Sequence, residues 1–155
     1  MHSSSTRIAS SAVSLLSMLA LGAHVLGTSK HPQAHAGATP EIKVEQLVKS
    51  SQSWDGSELP EYGKGKPEIT VLKITIPAGQ RLKTHLHPVI NTAVLIQGHL
   101  KVFSESGKSK ELKAGETLVE LVNQYHYGLS LGPEPAVLIV FYAGHHGVPL
   151  SVIKK

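Results

Sequence analysis

The stretch Gly79-Gln-Arg-Leu-Lys-Thr-His-Leu-His-Pro-Val-Ile-Asn-Thr-Ala-Val-Leu-Ile-Gln-Gly98 is where the chain concentrates its chemistry. His85 and His87 stand two apart, and successive side chains of a strand point to opposite faces, so both imidazoles project from one face of an extended segment. Two parallel imidazoles are half of a metal site. Asn91 shares their parity and is expected on the same face if the register runs on. Pro88 lies between, however, and proline cannot donate to a sheet ladder and sits at an edge, a strand start or a bulge. The register is therefore open to a break between His87 and Asn91.

On either side of this stretch the pattern is that of short strands. Ile69, Val71, Leu72, Ile74 and Ile76 mark a strand closed by Pro77-Ala-Gly79, and Thr92 to Ile96 is an almost continuous apolar run ending at Gln97-Gly98. Leu100, Val102 and Phe103 lead into the turn Glu105-Ser-Gly-Lys108, a hairpin signal. Lys110 to Lys113 and Glu116 to Val122 follow, and Ala136 to Tyr142 is an unbroken apolar run that reads as a central strand. Strands this short with turn signals every 8 to 12 residues or so define an all-β sandwich or barrel. Upstream, Glu41 to Lys49 fits a short helix or an edge strand equally well. Residues 51 to 67 are dense in turn formers and read as an ordered loop on the outside, with Trp54 as a packing anchor.

Composition narrows the functional classes. A chain of 155 residues has room for one domain, and 14 Gly with 9 Pro amid Val, Ile, Leu and Thr agrees with many turns between strands. The net charge of +4 comes from lysines scattered in ones and twos, without a basic run or interleaved aromatics, so nucleic acid is not an expected partner. With no cysteine there is no disulfide, thiolate ligand or thiol nucleophile, and any metal must be held by nitrogen and oxygen.

Arg7 precedes the apolar stretch Ala12 to Leu21, and no acidic residue occurs before Glu41, the layout of a secretory signal peptide. We expect a leader over residues 1–27, with processing after Gly22, Gly27 or Ala36 left open, and hence an exported, periplasmic or secreted protein. The run is shorter than the roughly 20 residues of a spanning helix, so no stable membrane insertion is expected after processing. Residues 28–66 then form an N-terminal arm and loop, and residues 67–155 the domain proper.

Gly79, His85, His87, Asn91 and Gly98 are spaced as in the first motif of the cupin superfamily, G-x5-H-x-H-x3,4-E-x6-G, and the stretch resembles it closely. Gly115, Leu121, Asn123, His126 and Ser130 match the second motif, G-x5-P-x-G-x2-H-x3-N, in spacing, with identity at Gly115 and His126 only. The resemblance spans about Ile69 to Tyr142. It implies a double-stranded β-helix, or jelly roll, with a divalent metal held by His85, His87 and His126, and it puts Asn91 where most cupins carry a glutamate ligand. Three neutral imidazoles leave the ion's charge uncompensated, which favours an anionic or chelating small-molecule ligand. Donor softness admits Fe(II), Mn, Ni, Cu or Zn.

The three-histidine ligand set resembles that of cupin dioxygenases acting on thiols or diketones, which makes such an enzyme the leading expectation. The alternatives are a non-catalytic exported binding protein for an anionic small molecule or metal, and a metal-free cupin. The acids nearest the motifs, Glu116 and Glu120, have no inward position forced by the sequence. The resemblance also implies a homodimer. Tyr125 and Tyr127 flank His126 and should face away from it, His99 should be superficial, and Tyr142, His145 and His146 either end a core strand or line the barrel mouth.

Overall fold

The structure, a computed structural model, describes residues 40–155, and the leader expected over residues 1–27 lies outside them. Period-two alternation becomes nine strands among the described residues. They are β1 (Pro67–Ile76), β2 (His85–Leu86), β3 (Ile90–Gln97), β4 (His99–Ser104), β5 (Ser109–Lys113), β6 (Thr117–Val119), β7 (His126–Ser130), β8 (Ala136–His145) and β9 (Val152–Ile153). No helix occurs among the described residues. The strands form a four-stranded sheet, β1-β8-β3-β6, and a five-stranded sheet, β5-β4-β7-β2-β9, both antiparallel. The apolar run from Ala136 is indeed central, pairing with β1 on one side and β3 on the other.

Burial alternates residue by residue along β3, β4 and β7, as expected of antiparallel sheets with one face covered. Leu95 of β3, Leu118 of β6 and Leu138 of β8 join Leu100 and Val102 of β4 and Leu112 of β5 in one buried cluster. Both sheets thus contribute inner faces to a single core, the jelly-roll arrangement. Trp54 packs against this core from the loop before β1, which holds itself in place through Ser53 N to Ser57 O (2.8 Å) and Trp54 N to Val119 O (2.9 Å). The segment 41–49 is neither helix nor strand: it runs exposed and without ladder bonds beside β6, where Thr117 Oγ1 donates to Leu47 O at 3.3 Å.

The chain crosses between the sheets at two places that matter for the site. Between His87 and Ile90 it leaves the five-stranded sheet for the four-stranded one, so the register does break at Pro88. Between β3 and β4 it crosses back through Gly98, whose φ is +81°. A Cβ there would fall 2.4 Å from Pro135 O, so both the conformation and the space require glycine. Gly79 has a similar φ of +72° but open space around it. Gly79→Ala should therefore cost about 1 kcal/mol from backbone strain alone, and Gly98→Ala several times as much, read as the shift in denaturation midpoint. Equal losses would show that the crossing at Gly98 yields without cost.

Candidate metal centre

His85 and His126 are direct partners across the β2–β7 ladder. Opposed residues of an antiparallel pair carry their Cβ atoms about 4.5–5.5 Å apart on one face, so the register alone brings these imidazoles together. His87, two residues on, is held by its bridge to Val122 and by Asn123 N donating to His87 O at 2.8 Å. The three rings form a near-equilateral triangle, with centroids 4.9 Å (His85–His87), 4.7 Å (His85–His126) and 5.0 Å (His87–His126) apart. One ring nitrogen from each lies within 4.8 Å of the other two.

Each imidazole spends its other nitrogen on a backbone carbonyl. His85 Nδ1 donates to Lys83 O at 2.8 Å, His87 Nδ1 to Leu150 O at 2.8 Å, and His126 Nδ1 to Gln124 O at 2.9 Å. A carbonyl oxygen only accepts, so the proton of each neutral ring sits on Nδ1 and the Nε2 lone pair is left free. This is the arrangement that orients histidine ligands in metal sites. Burial pushes His87 down to about 3 and His126 down to about 4, and repulsion from the neighbouring imidazoles acts in the same direction. Both rings are thus held neutral, the form that coordinates.

A fourth polar group faces the same interior. Glu120 is 8% exposed and its Oε2 lies 3.5 Å from His126 Nε2. Burial pushes its carboxyl up to about 7, against the opposing bond from the Leu121 N–H. The sequence left Glu120 without a forced direction, whereas the structure turns it inward. It continues the alternation of β6, in which Leu118 is buried and Val119 half-buried, and its N–H donates to Asn91 O at 3.1 Å. Tyr142 is 4% exposed with its ring 5.6 Å from that of His87, and burial, with the Glu120 charge adding to it, raises its hydroxyl to about 12. It therefore remains a proton-bearing donor at neutral pH.

The imidazoles, Glu120 and Tyr142 line a chamber of about 50 Å³ closed by apolar side chains such as Leu100, Val102 and Leu138. A water needs about 10–15 Å³ of such space, so the chamber has room for an ion with a few waters. His85, His87 and Tyr142 also line an outer recess of about 350 Å³, walled by Leu72, Leu82, Leu150 and Ile153 and bearing Lys83. A larger hollow of about 410 Å³, bordered by Val48, Tyr62, Ile69 and Phe141, contains no histidine or carboxylate. Size alone does not make it the reactive site.

The remaining candidates fall elsewhere. Asn91 is buried, but it is not in the chamber wall; its Nδ2 donates to Val89 O at 3.3 Å and its Oδ1 has no partner. His99 pairs with Glu111 at 3.2 Å on the outside of β4. Tyr127 stacks on Phe103 (centroids 4.9 Å apart) under the Arg81 guanidinium, facing away from the site as alternation requires. His145 Nε2 donates to Gly63 O at 2.8 Å and His146 pairs with Glu68 at 3.1 Å, so neither belongs to the cluster. Of the three residues expected to end a core strand or line the mouth, only Tyr142 reaches the interior.

Two antiparallel sheets wrapped around an inward imidazole triad define a double-stranded β-helix protein with a candidate metal centre. Residues 72–142, just under half of the chain, match the family model for the Cupin domain, and this segment is similar to cupin domains. No curated protein matches the chain in sequence. Among solved structures, the DMSP lyase DddQ of Ruegeria pomeroyi DSS-3 aligns with a TM-score of 0.50 at 17% identity, over 56% of this chain and 43% of that one. An uncharacterized conserved protein with a double-stranded beta-helix domain from Klebsiella pneumoniae aligns at a TM-score of 0.49 and 22% identity, over 72% of this chain and 99% of that one. For the oxalate decarboxylase of Lactobacillus farciminis the values are 0.48 and 22%, over 55% and 26%. The chain thus spans less than half the length of the lyase and about a quarter of the decarboxylase, and at these identities the likeness is one of fold.

The buried titratable groups set a pH dependence for the metal-free protein. His87 and His126 titrate below their ordinary value of 6.5, so between about 6.5 and 4.5 the unfolded chain binds two protons there that the folded chain refuses. Glu120 titrates above its ordinary 4.5, so in the same window the folded chain binds one that the unfolded chain does not. The unfolded state is the net proton acceptor, and stability should fall as pH drops through this window. Glu120→Gln removes the opposing contribution and should steepen the fall. Denaturant midpoints at pH 7, 5.5 and 4.5 check both, and a wild type more stable at pH 4.5 than at pH 7 contradicts the assignment.

Proposed function

We propose that this protein is a metal-dependent small-molecule enzyme of the dioxygenase type, with His85, His87 and His126 as the ligands of a divalent ion. The observation that carries this reading is the convergence of three Nε2 lone pairs, each fixed by an Nδ1–carbonyl bond, in a buried chamber large enough for an ion. The donor set fits: the nitrogens are neutral, and His126 Nε2 and Glu120 Oε2 are buried without a hydrogen-bond partner, as groups awaiting an ion would be. Bound there, a redox-active divalent ion supplies Lewis acidity and a centre for oxygen chemistry.

The chain's own residues do the rest. The leucine and isoleucine walls of the recess take an apolar body, while the smaller chamber takes the coordinating end of a ligand. Tyr142 holds its proton on the phenol oxygen and offers it as a hydrogen bond to that end. Lys83, on the recess wall, supplies a positive charge that favours an anion. The reading includes export to the periplasm or the medium, supported by the leader pattern of residues 1–27.

Elemental analysis of the protein with its histidines replaced singly tests the centre. His85→Ala, His87→Ala and His126→Ala should each lose most of the bound metal, while His99→Ala and His146→Ala retain it, and equal losses across all five would sink the site. Iron, manganese, copper or nickel in the wild type, with oxygen uptake on cysteine or pentane-2,4-dione, supports the enzyme. Stoichiometric metal without turnover of any chelating anion favours the binding protein instead. In either case Lys83→Glu should weaken anionic ligands several-fold at low salt and leave neutral ones unchanged.

A further inference from the structure

Residues 91 and 120 are neighbours across the β3–β6 ladder. Thr92 pairs with Val119, and one step further Glu120 N donates to Asn91 O at 3.1 Å. Both residues are turned to the buried side, at 1% and 8% exposure. A carboxylate at position 120 therefore enters the same interior as one at position 91, displaced by one strand spacing of about 4.8 Å.

Glu120 Oε2 and His126 Nε2 are each buried with no hydrogen-bond partner, and they lie 3.5 Å apart. That is long for a hydrogen bond between nitrogen and oxygen. It matches two donors sharing one ion, which stand about 3.0–3.5 Å apart when each is about 2.0–2.2 Å from the metal. Only the imidazole nitrogens lie mutually within 4.8 Å, so Glu120 must turn further toward His85 and His87 to complete the set. A buried carboxyl oxygen with no partner also needs a reason to be there, since leaving it unpaired costs free energy. We infer that Glu120 is the fourth donor of the metal centre, supplying from the neighbouring strand the carboxylate that Asn91 does not provide. The inference rests on the metal-centre reading above. It changes that centre's chemistry: the ionised carboxylate takes one unit off the ion's charge, and a hard oxygen donor favours Mn²⁺ relative to an all-imidazole set.

Calorimetric titration of the metal-free protein with Mn²⁺ and with Zn²⁺ tests this, on wild type, Glu120→Gln and the double variant Asn91→Glu/Glu120→Gln. Glu120→Gln should lose at least about tenfold in Mn²⁺ affinity and less in Zn²⁺ affinity. The double variant, which moves the carboxylate back across the ladder, should recover most of the Mn²⁺ loss, a rescue that a merely structural role for Glu120 would not give. If wild type and Glu120→Gln bind both ions alike, this inference is overturned while the three-histidine centre stands. If the wild type binds neither ion, the metal-centre reading fails with it. Should Glu120→Gln not fold, a crystal structure of the Mn²⁺-loaded wild type decides: a Glu120 oxygen within about 2.2 Å of the ion supports the assignment, and one beyond about 3 Å overturns it.

Discussion

The three bonds from imidazole Nδ1 to the carbonyls of Lys83, Leu150 and Gln124 are what the interior depends on, because they fix both the tautomer and the direction of every ring in the triad. Two of the carbonyls lie two residues before the histidine they hold, so local backbone conformation at the entries to β2 and β7 sets His85 and His126. The third comes from 63 residues away, just before β9. The short β9 strand, only two residues long, is thus more than an edge for the five-stranded sheet: by pairing with β2 it carries the Leu150 carbonyl to His87. A rotamer flip at His87 or His126 would exchange a bonded N–H for an unbonded one in a buried place, costing about 1–3 kcal/mol.

Those bonds also explain why the interior tolerates so much polarity. His87, His126, Asn91, Glu120 and Ser130 are all buried on the inner faces of sheets whose other inward positions are aliphatic. Ser130 satisfies itself by accepting from Ala136 N at 3.2 Å, and the imidazoles do so at Nδ1. Of these inward groups, His126 Nε2, Glu120 Oε2 and Asn91 Oδ1 are left without partners, the first two of them in the chamber wall. An unpartnered buried polar atom destabilises the fold, and binding a cation to the folded state alone offsets that by mass action. Within the chamber itself the two unpartnered atoms, His126 Nε2 and Glu120 Oε2, both offer lone pairs, which favours a positively charged guest there.

Much of this was legible in the sequence because β-structure converts parity directly into geometry. His85 and His87 share a face because they are two apart, whereas His126 was indicated only by the resemblance to the second cupin motif, since its pairing with His85 spans 41 residues that no local pattern links. The strands bounded by Gly and Pro appeared close to where their apolar residues placed them. Glu120 was hidden for a specific reason: the doublet Leu121-Val122 continues the apolar run and obscures the period-two signal at the end of β6, where the chain passes from one sheet toward the other. Its direction follows only from the ladder with β3, a pairing 29 residues apart that no local pattern encodes. Tyr142 was ambiguous because a strand end and a barrel mouth present the same local sequence. The segment 41–49, whose Val44, Leu47 and Val48 fit a helix or an edge strand equally well, is neither: those side chains are exposed, so burial selects neither period.

The division of the interior into a small chamber and a wider recess bears on how such a site is tuned. With about 50 Å³ around the imidazoles and about 350 Å³ outside them, the coordinating end of a ligand and its body meet different residues. The chamber is built from ladder positions of β2, β7 and β8 whose register fixes the rings, so substitution there disturbs the fold and the donors together. The recess draws on Leu72 of β1, Leu82 and Lys83 before β2, and Leu150, Ser151 and Ile153 around β9, whose side chains make no bond to the triad. The Lys83 carbonyl anchors His85, yet its side chain is free to change without altering that bond. Selectivity for a ligand's body can therefore shift by substitution around the recess while the imidazole geometry stays intact, which separates what the site binds from how it holds an ion.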